Sequence, residues 1–446
     1  MKNLVVLGGG ESGIGAAKLG LKNGYKVFVS DNGRIKEKYK KVLSNLALEW
    51  EEKQHSEDLI FQADVVVKSP GIPDTAPLVK QLIEKEIEVI SEIEFAGRFT
   101  KAKMICITGS NGKTTTALWL YHILKNGGLN VGLAGNVGKS LALQVAEENF
   151  DCYVLELSSF QLDGMFHFKA DIAILMNITP DHLDRYEYDM QKYIESKFRI
   201  AQNQSAAEYF IYCLDDENIA KELSKRDLKA QLIPFTIKQD LNKLQGAYIK
   251  NKQLIINYQN QQLNMSIYKL ALEGKHNIYN SMASGVASRI LELRKDVVRD
   301  SLTDFQNVEH RMEKVVSVHG IDFVNDSKAT NINSTWYALE TMPAGVVWIV
   351  GGVDKGNDYS ILKDVVKEKV SAIVCLGKDN IKIKEAFKDT GVSISEAGSM
   401  KVAVQFAYQL GQKGDTVLLS PGCASFDLFE DYEDRGRQFK EQVRGL

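Results

Sequence analysis

The chain has 446 residues, which at about 100–200 residues per domain points to three domains rather than one core. Its 44% hydrophobic and 25% charged residues are those of a soluble globular protein. A formal net charge of −3 without a face-long Lys/Arg cluster, and the absence of any apolar run of membrane-spanning length, exclude a nucleic-acid footprint and membrane insertion.

The first elements read as strand, turn, helix and strand: Leu4 to Leu7, the turn Gly8-Gly9-Gly10-Glu11-Ser12-Gly13, a helix to about Lys22, and Lys26 to Val29 ending at Asp31. GxGxxG followed about twenty residues on by an acid is the dinucleotide-binding pattern, here a Rossmann-like unit holding a nucleotide-bearing group. A second buried strand, Ala63 to Val67, ends in Ser69-Pro70-Gly71-Ile72-Pro73, either a plain turn or a ligand-facing one. From Glu92 to Lys103 the pattern loosens, and the first domain is expected to span 1–95.

A short apolar run, Met104 to Ile107, then turns through Thr108-Gly109-Ser110-Asn111-Gly112-Lys113-Thr114-Thr115 into a run with helical spacing. Such a turn cradles phosphate: backbone N–H groups close round the oxygens, the helix N-terminus adds partial positive charge, Lys113 adds a full one, and the Thr114 hydroxyl can ligate Mg²⁺. The implied ligand is a nucleoside triphosphate, although the gap between glycines is two residues shorter than in the general P-loop. Strand and helix alternate onward, as in a parallel sheet. Gly135-Asn136-Val137-Gly138 is a loop after a short strand, and Tyr153 to Leu157 is a buried strand with Glu156 near its carboxyl end, a suitable Mg²⁺ group. Ile172 to Met176 leads into Asn177-Ile178-Thr179-Pro180-Asp181-His182, where His182 is either a surface histidine or part of the site. A helix from Tyr188 to about Asn203 carries Lys197, which on residue chemistry alone reads as solvated. Residues 246–272 alternate as antiparallel hairpins, and Gly274-Lys275-His276-Asn277 opens a helix on which Asn277 and Asn280 share a face. The central domain is expected to span 96–300.

The third domain, 301–446, contains His310-Arg311, two strands (Lys314 to Val318, Ile321 to Val324), and Asn325-Asp326-Ser327-Lys328-Ala329-Thr330-Asn331 opening a helix. Strands Val346 to Val350, Ala372 to Leu376 and Thr416 to Leu419 follow, with polar or glycine-rich loops at 351–356 and 420–427. That is a second α/β sheet with a binding edge. Five cysteines without CxxC pairing read as buried free thiols, and an N-terminal apolar run too short for a signal peptide suggests a cytoplasmic protein.

The ordered set of motifs resembles the Mur ligases along the whole chain: the shortened P-loop, Glu156-Leu157-Ser158-Ser159-Phe160-Gln161-Leu162, Asn177 to Arg185, His276-Asn277 with Asn280, His310-Arg311 and Asn325 to Asn331. The resemblance implies an α/β protein of three domains: a Rossmann-like one, a P-loop one with a mostly parallel sheet, and a second Rossmann-like one. It implies ATP-dependent amide ligation in peptidoglycan synthesis, and Ser420 to Asp427 together with Asn325 to Asn331 implies D-glutamate added to UDP-N-acetylmuramoyl-L-alanine through an acyl phosphate. By resemblance, Gly109 to Thr115, Asn277, Asn280, Arg311, Asp326 and Lys328 contact ATP. Two Mg²⁺ ions are implied, one on Thr114 and Glu156, the other on His182 and a carbamylated Lys197, with Lys113, His182 and Lys197 catalytic. The uridine-bearing substrate is implied at Glu11, Ser12, Asp31, Asn32, Gly71, Asn136 and Gln161. D-glutamate is assigned to Lys328, Thr330, Lys355, Ser425 and Tyr432, the last standing where relatives often have Phe, and a monomer is expected.

Overall fold

The computed structural model describes residues 1–242, 244–272, 274–305 and 309–446. The chain forms two compact units, divided after Phe305, each an α/β body.

The first unit carries two sheets. One has order β3-β2-β1-β4-β5 from β1 (Asn3–Leu7), β2 (Lys26–Asp31), β3 (Glu49–Glu52), β4 (Val65–Lys68) and β5 (Glu88–Ile90), all parallel. The helix Glu11–Lys22 follows β1, and the third glycine of the GxGxxG motif explains the turn: a Cβ on Gly13 would lie 1.9 Å from the Gly8 carbonyl oxygen. The second sheet has order β14-β13-β12-β11-β10-β9-β6-β8-β7. Its strands are β6 (Lys103–Thr108), β7 (Val131–Gly135), β8 (Cys152–Glu156), β9 (Ile172–Leu175), β10 (Tyr209–Cys213), β11 (Gln231–Thr236), β12 (Gly246–Lys250), β13 (Gln253–Tyr258) and β14 (Gln261–Ser266). From β7 to β12 it is parallel, and β13 and β14 extend it as an antiparallel meander.

The second unit holds β15 (Glu313–Val318), β16 (Ile321–Asn325), β17 (Val346–Val350), β18 (Val370–Leu376), β19 (Ser393–Ala397) and β20 (Thr416–Leu419) in the order β15-β16-β20-β17-β18-β19. Among the described residues, only the edge pair β15–β16 is antiparallel. β17 shows why the sheet is covered on both faces. Val346, Trp348 and Val350 enter one buried cluster, while Val347 and Ile349 enter another across the sheet.

Several expectations need correction. Residues 92–97 are not loose: Ser91 caps the helix Glu92–Gly97 by accepting from Glu94 N, and its residues 92–96 are buried. The expected boundary at 95/96 therefore falls inside a helix. The boundary expected at 300/301 moves to Phe305, because the helix Lys295–Asp304 belongs to the first unit and Trp119 Nε1 donates to Ser301 O at 3.1 Å. The helix expected from Tyr188 to Asn203 is shorter, Met190–Phe198, since Glu187 and Tyr188 have positive φ and Asp189 caps it through Gln191 N. The five cysteines are free and buried, as expected.

Candidate active site

The phosphate loop joins the end of β6 to the helix Lys113–Asn126 in the middle of the second sheet, between β8 and β9. Gly109 and Gly112 have φ of +151° and +82°, conformations that a side chain would strain. The loop is fastened to the end of β9. Ser110 N donates to Asn177 O at 2.9 Å, Asn111 N donates to Asn177 Oδ1 at 2.8 Å, and Asn177 Nδ2 donates to Asn111 O at 3.0 Å. Ser110 Oγ donates to Thr179 O at 2.7 Å and lies 3.1 Å from Tyr193 Oη. Lys113 Nζ folds back on the loop, donating to Gly109 O at 2.7 Å and Ser110 O at 2.8 Å, and Thr114 and Thr115 are buried in the first helical turn. The helix Lys275–Ile290 brings Asn280 to the same place. Thr116 Oγ1 donates to Asn280 Oδ1 at 3.2 Å, a Cβ on Gly112 would lie 2.5 Å from that oxygen, and Asn280 Nδ2 donates to Asn277 Oδ1 at 3.1 Å.

Glu156 ends β8, opposite Ile107 on β6, and is 1% exposed. Asn136 Nδ2 donates to its Oε1 at 2.9 Å, whereas its Oε2 is buried without a hydrogen-bond partner among the described residues. A buried carboxylate oxygen without a donor is costly, and a hard cation that takes oxygen ligands satisfies it, so the donor set fits Mg²⁺. Lys197 overturns the solvated reading: it is 2% exposed. Burial, with the charge of Lys113, holds its amine well below the usual range, against the opposing pull of Asp181, Asp163 and Glu156. His182 is half-buried with φ of +52°, its ring edge-on to Phe160 at 5.3 Å and its Nε2 3.7 Å from Asp181 Oδ1.

At the first sheet, Asp31 shapes the glycine turn. Gly9 N donates to its Oδ2 and Gly33 N to its Oδ1, each at 2.7 Å. Asn32 and Gly71 are exposed and Ser12 is half-buried. Arg185 donates to the carbonyls of Gly71 and Pro70 at 3.2 and 3.3 Å, so the 69–73 turn is docked on the segment carrying His182. Glu11 accepts from Ser140 N at 3.3 Å. Gln161 spends its side-chain oxygen on a capping box, accepting from Ser158 N at 3.0 Å and Ser158 Oγ at 2.9 Å. From sequence alone Asn177 carries no role of its own, and its one signal is a polar residue following the strand beside the P-loop strand.

In the second unit, three strand-end loops meet. Gly422 N donates to Ala329 O at 2.9 Å, and Val353 and Ala424 exchange backbone hydrogen bonds. These join the loops carrying Lys328 and Thr330, Lys355, and Ser425; Ser425 is buried and the other three are half-buried. Lys328 Nζ donates to Tyr432 Oη at 2.9 Å and lies 4.6 Å from that ring's centroid. Asp326 is 1% exposed, accepts from Ser420 Oγ at 2.9 Å and stands 3.8 Å from Arg311 Nη1. Burial pushes its carboxyl up to about 6, although Arg311 opposes the shift.

The Mur ligase middle-domain model matches residues 107–288, the Mur ligase glutamate-ligase-domain model residues 310–423, and the MurD N-terminal-domain model residues 4–77. The chain belongs to the Mur ligase family. A relative named UDP-N-acetylmuramoylalanine--D-glutamate ligase, from Christiangramia forsetii, is 56% identical over 445 residues, 100% of both chains. Among solved Mur ligases, UDP-N-acetylmuramate-alanine ligase MurC from Thermotoga maritima superposes with a TM-score of 0.64 at 18% identity, covering 100% of both chains. MurF ligase from the same organism, solved in complex with ADP, gives 0.58 at 16% identity over 87% of this chain and 92% of its own. At these identities the likeness is one of fold.

Proposed function

We propose that this Mur ligase joins D-glutamate to UDP-N-acetylmuramoyl-L-alanine at the expense of ATP, a step of peptidoglycan synthesis. The reading is carried by the 56% identity over the whole of both chains to a ligase of that name. The P-loop and the orphan Glu156 oxygen beside it support the nucleotide half of the reaction.

ATP binds at Gly109 to Thr115, with Asn277 and Asn280 beside the loop and Arg311, Asp326 and Lys328 as further contacts. Mg²⁺ held by Thr114 and Glu156, and a second ion held by His182 and a carbamylated Lys197, would neutralise phosphate charge. Lys113 offsets charge on the transferring phosphoryl group. The alanyl carboxylate takes the γ-phosphoryl group, releasing ADP. The neutral D-glutamate amine then attacks the acyl carbon, phosphate leaves with the C–O bonding pair, and the amine proton passes to solvent.

The first sheet takes the uridine-bearing substrate at Glu11, Ser12, Asp31, Asn32 and Gly71, with Asn136 and Gln161 reaching the rest of it. The third sheet takes D-glutamate at Lys328, Thr330, Lys355, Ser425 and Tyr432. The enzyme acts as a cytoplasmic monomer on soluble substrates; among the described residues no helix is long and apolar enough to cross a membrane. Lys113→Ala tests the nucleotide half: the variant folds, and turnover falls on the order of 10²–10³-fold because a transition-state cation is lost. Near-parental turnover by that variant contradicts the P-loop assignment.

A further inference from the structure

Glu92 has no part in the sites above, yet it is 3% exposed and bridges two layers of the first unit. It opens the helix Glu92–Gly97 and reaches the start of the helix Leu141–Glu147, where Ser140 Oγ donates to its Oε1 at 2.7 Å and Ala142 N donates to the same oxygen. Ser140 is held from further sides. It caps its helix by accepting from Leu143 N at 3.1 Å, and the helix Glu11–Lys22 approaches so closely that a Cβ on Gly15 would lie 2.1 Å from Ser140 Oγ.

Four residues before Ser140, Asn136 N donates to Glu156 O at 2.8 Å and Asn136 Nδ2 donates to Glu156 Oε1 at 2.9 Å. The intervening strap is held at Lys139 O, which accepts from Gln144 Nε2 at 3.3 Å, and the same Nε2 donates to Leu133 O of β7 at 2.7 Å, tying the strap to the strand before it. Residues 136–140 are thus a short strap with one end on the Glu156 carboxylate and the other on Glu92. A five-residue strap pinned at both ends has little freedom, so the position of Ser140 sets the position of the Asn136 amide.

We propose that Glu92 is a positioning residue for the metal-binding carboxylate: by holding Ser140 it keeps Asn136 on Glu156 Oε1 and reserves Oε2 for Mg²⁺. The proposal rests on the assignment of Glu156 to Mg²⁺. Partners that orient a metal ligand are worth about 10–100-fold in metal affinity. Glu92 acts one step further out, which places its effect at the lower end of that range.

The test is ADP release by the full-length enzyme at saturating ATP and both proposed co-substrates, titrated with Mg²⁺, for the parent, Glu92→Ala, Glu92→Gln, Ser140→Ala and Glu156→Gln, with melting temperatures in parallel. Glu92→Ala and Ser140→Ala are expected to raise the Mg²⁺ midpoint about tenfold without raising the KM for D-glutamate. Glu92→Gln, whose amide oxygen accepts the same two donors, stays within about twofold of the parent. A folded Glu92→Ala enzyme with a parental midpoint overturns the proposal, as does a lower melting temperature and kcat with no change in midpoint. A Gln variant as defective as Ala also overturns it. Should Glu92→Ala fail to fold, Ser140→Ala gives the decision alone. Glu156→Gln separates the two levels: if it leaves the Mg²⁺ midpoint unmoved, the metal assignment itself fails; if it moves the midpoint and Glu92→Ala and Ser140→Ala do not, only the positioning role fails.

Discussion

Val353 and Ala424 exchange backbone hydrogen bonds, Val353 N to Ala424 O at 2.8 Å and Ala424 N to Val353 O at 3.2 Å, and so tie the loop carrying Lys355 to the loop carrying Ser425. D-glutamate brings two carboxylates and must present a neutral amine, which calls for cations and hydroxyl donors. Lys355→Ala and Ser425→Ala should each remove a donor to a bound carboxylate, at a cost of about 2–5 kcal/mol for a buried charged contact. The expected outcome in steady-state kinetics is a large rise in the KM for D-glutamate with little change in that for ATP. D-glutamate saturation at parental concentrations would show the pocket to be elsewhere.

Glu156→Gln should preserve size and the Asn136 contact while removing the charge that suits Mg²⁺. Turnover should fall on the order of 10²–10³-fold, as for loss of a group stabilising transition-state charge. The rise in melting temperature on adding Mg²⁺ with ADP should shrink as well. A variant that the pair still stabilises as it does the parent would remove Glu156 from the metal site.

Lys197 is expected to carry a carbamate in the active enzyme. It is buried near Asp181, Asp163 and Glu156 but also near Lys113, and an ammonium there would repel Mg²⁺. CO₂ adds to the neutral amine with loss of one proton, giving an anionic oxygen ligand of the kind Mg²⁺ takes. Mass spectrometry under mild conditions, or carbon-13 NMR after labelled bicarbonate, should find one added CO₂; a bare amine in active, bicarbonate-replete enzyme would contradict it.

Burial, against the opposing hydrogen bonds from Ala142 and Ser140, pushes the Glu92 carboxyl up to about 7 from the ordinary 4.5. Between those values the folded state binds the proton that the unfolded state releases. Stability is therefore fully present below about pH 4.5 and is lost as pH rises towards and through 7, by about 3 kcal/mol at 1.36 kcal/mol per unit. Glu92→Gln removes this dependence, so its melting temperature relative to the parent should be higher at pH 8 than at pH 5. Parallel curves for the two proteins would assign the carboxyl an ordinary pKa.

Much of this was legible in the sequence because local chemistry dictated it. Val346 to Val350 and Thr416 to Leu419 are short apolar runs with no other use than a covered strand, and their ends match the structure. β3, Glu49–Glu52, was not legible: four polar or half-buried residues, Glu-Trp-Glu-Glu, show no apolar run, and only pairing with β2 makes them a strand. The burial of Lys197 is hidden from residue chemistry alone for a related reason. A lysine's helical position says nothing of the carboxylates that other strands and loops bring round it, whereas its neighbours in space decide its chemistry. The helix Glu92–Gly97 was hidden by its acids, which are buried only because distant N–H groups receive them: Glu94 Oε2 accepts from Phe166, His167 and Phe168 at 3.0, 3.1 and 2.8 Å. Within the site, the side-chain oxygens of Gln161 and Asp31 accept from the backbone around them, Gln161 from Ser158 N and Asp31 from Gly9 N and Gly33 N, partnerships that motif spacing does not reveal.

The central claim is ligation of D-glutamate, and an amino-acid panel tests it most directly. The purified enzyme would be given ATP, Mg²⁺ and UDP-N-acetylmuramoyl-L-alanine with D-glutamate, L-glutamate, L-alanine, L-lysine or meso-diaminopimelate, while ADP release and product mass are followed. The account predicts one ADP per amide formed, with D-glutamate alone supporting sustained turnover and no turnover without the uridine substrate. Sustained ADP release without either co-substrate, or amide formation with another amino acid in preference to D-glutamate, would contradict it.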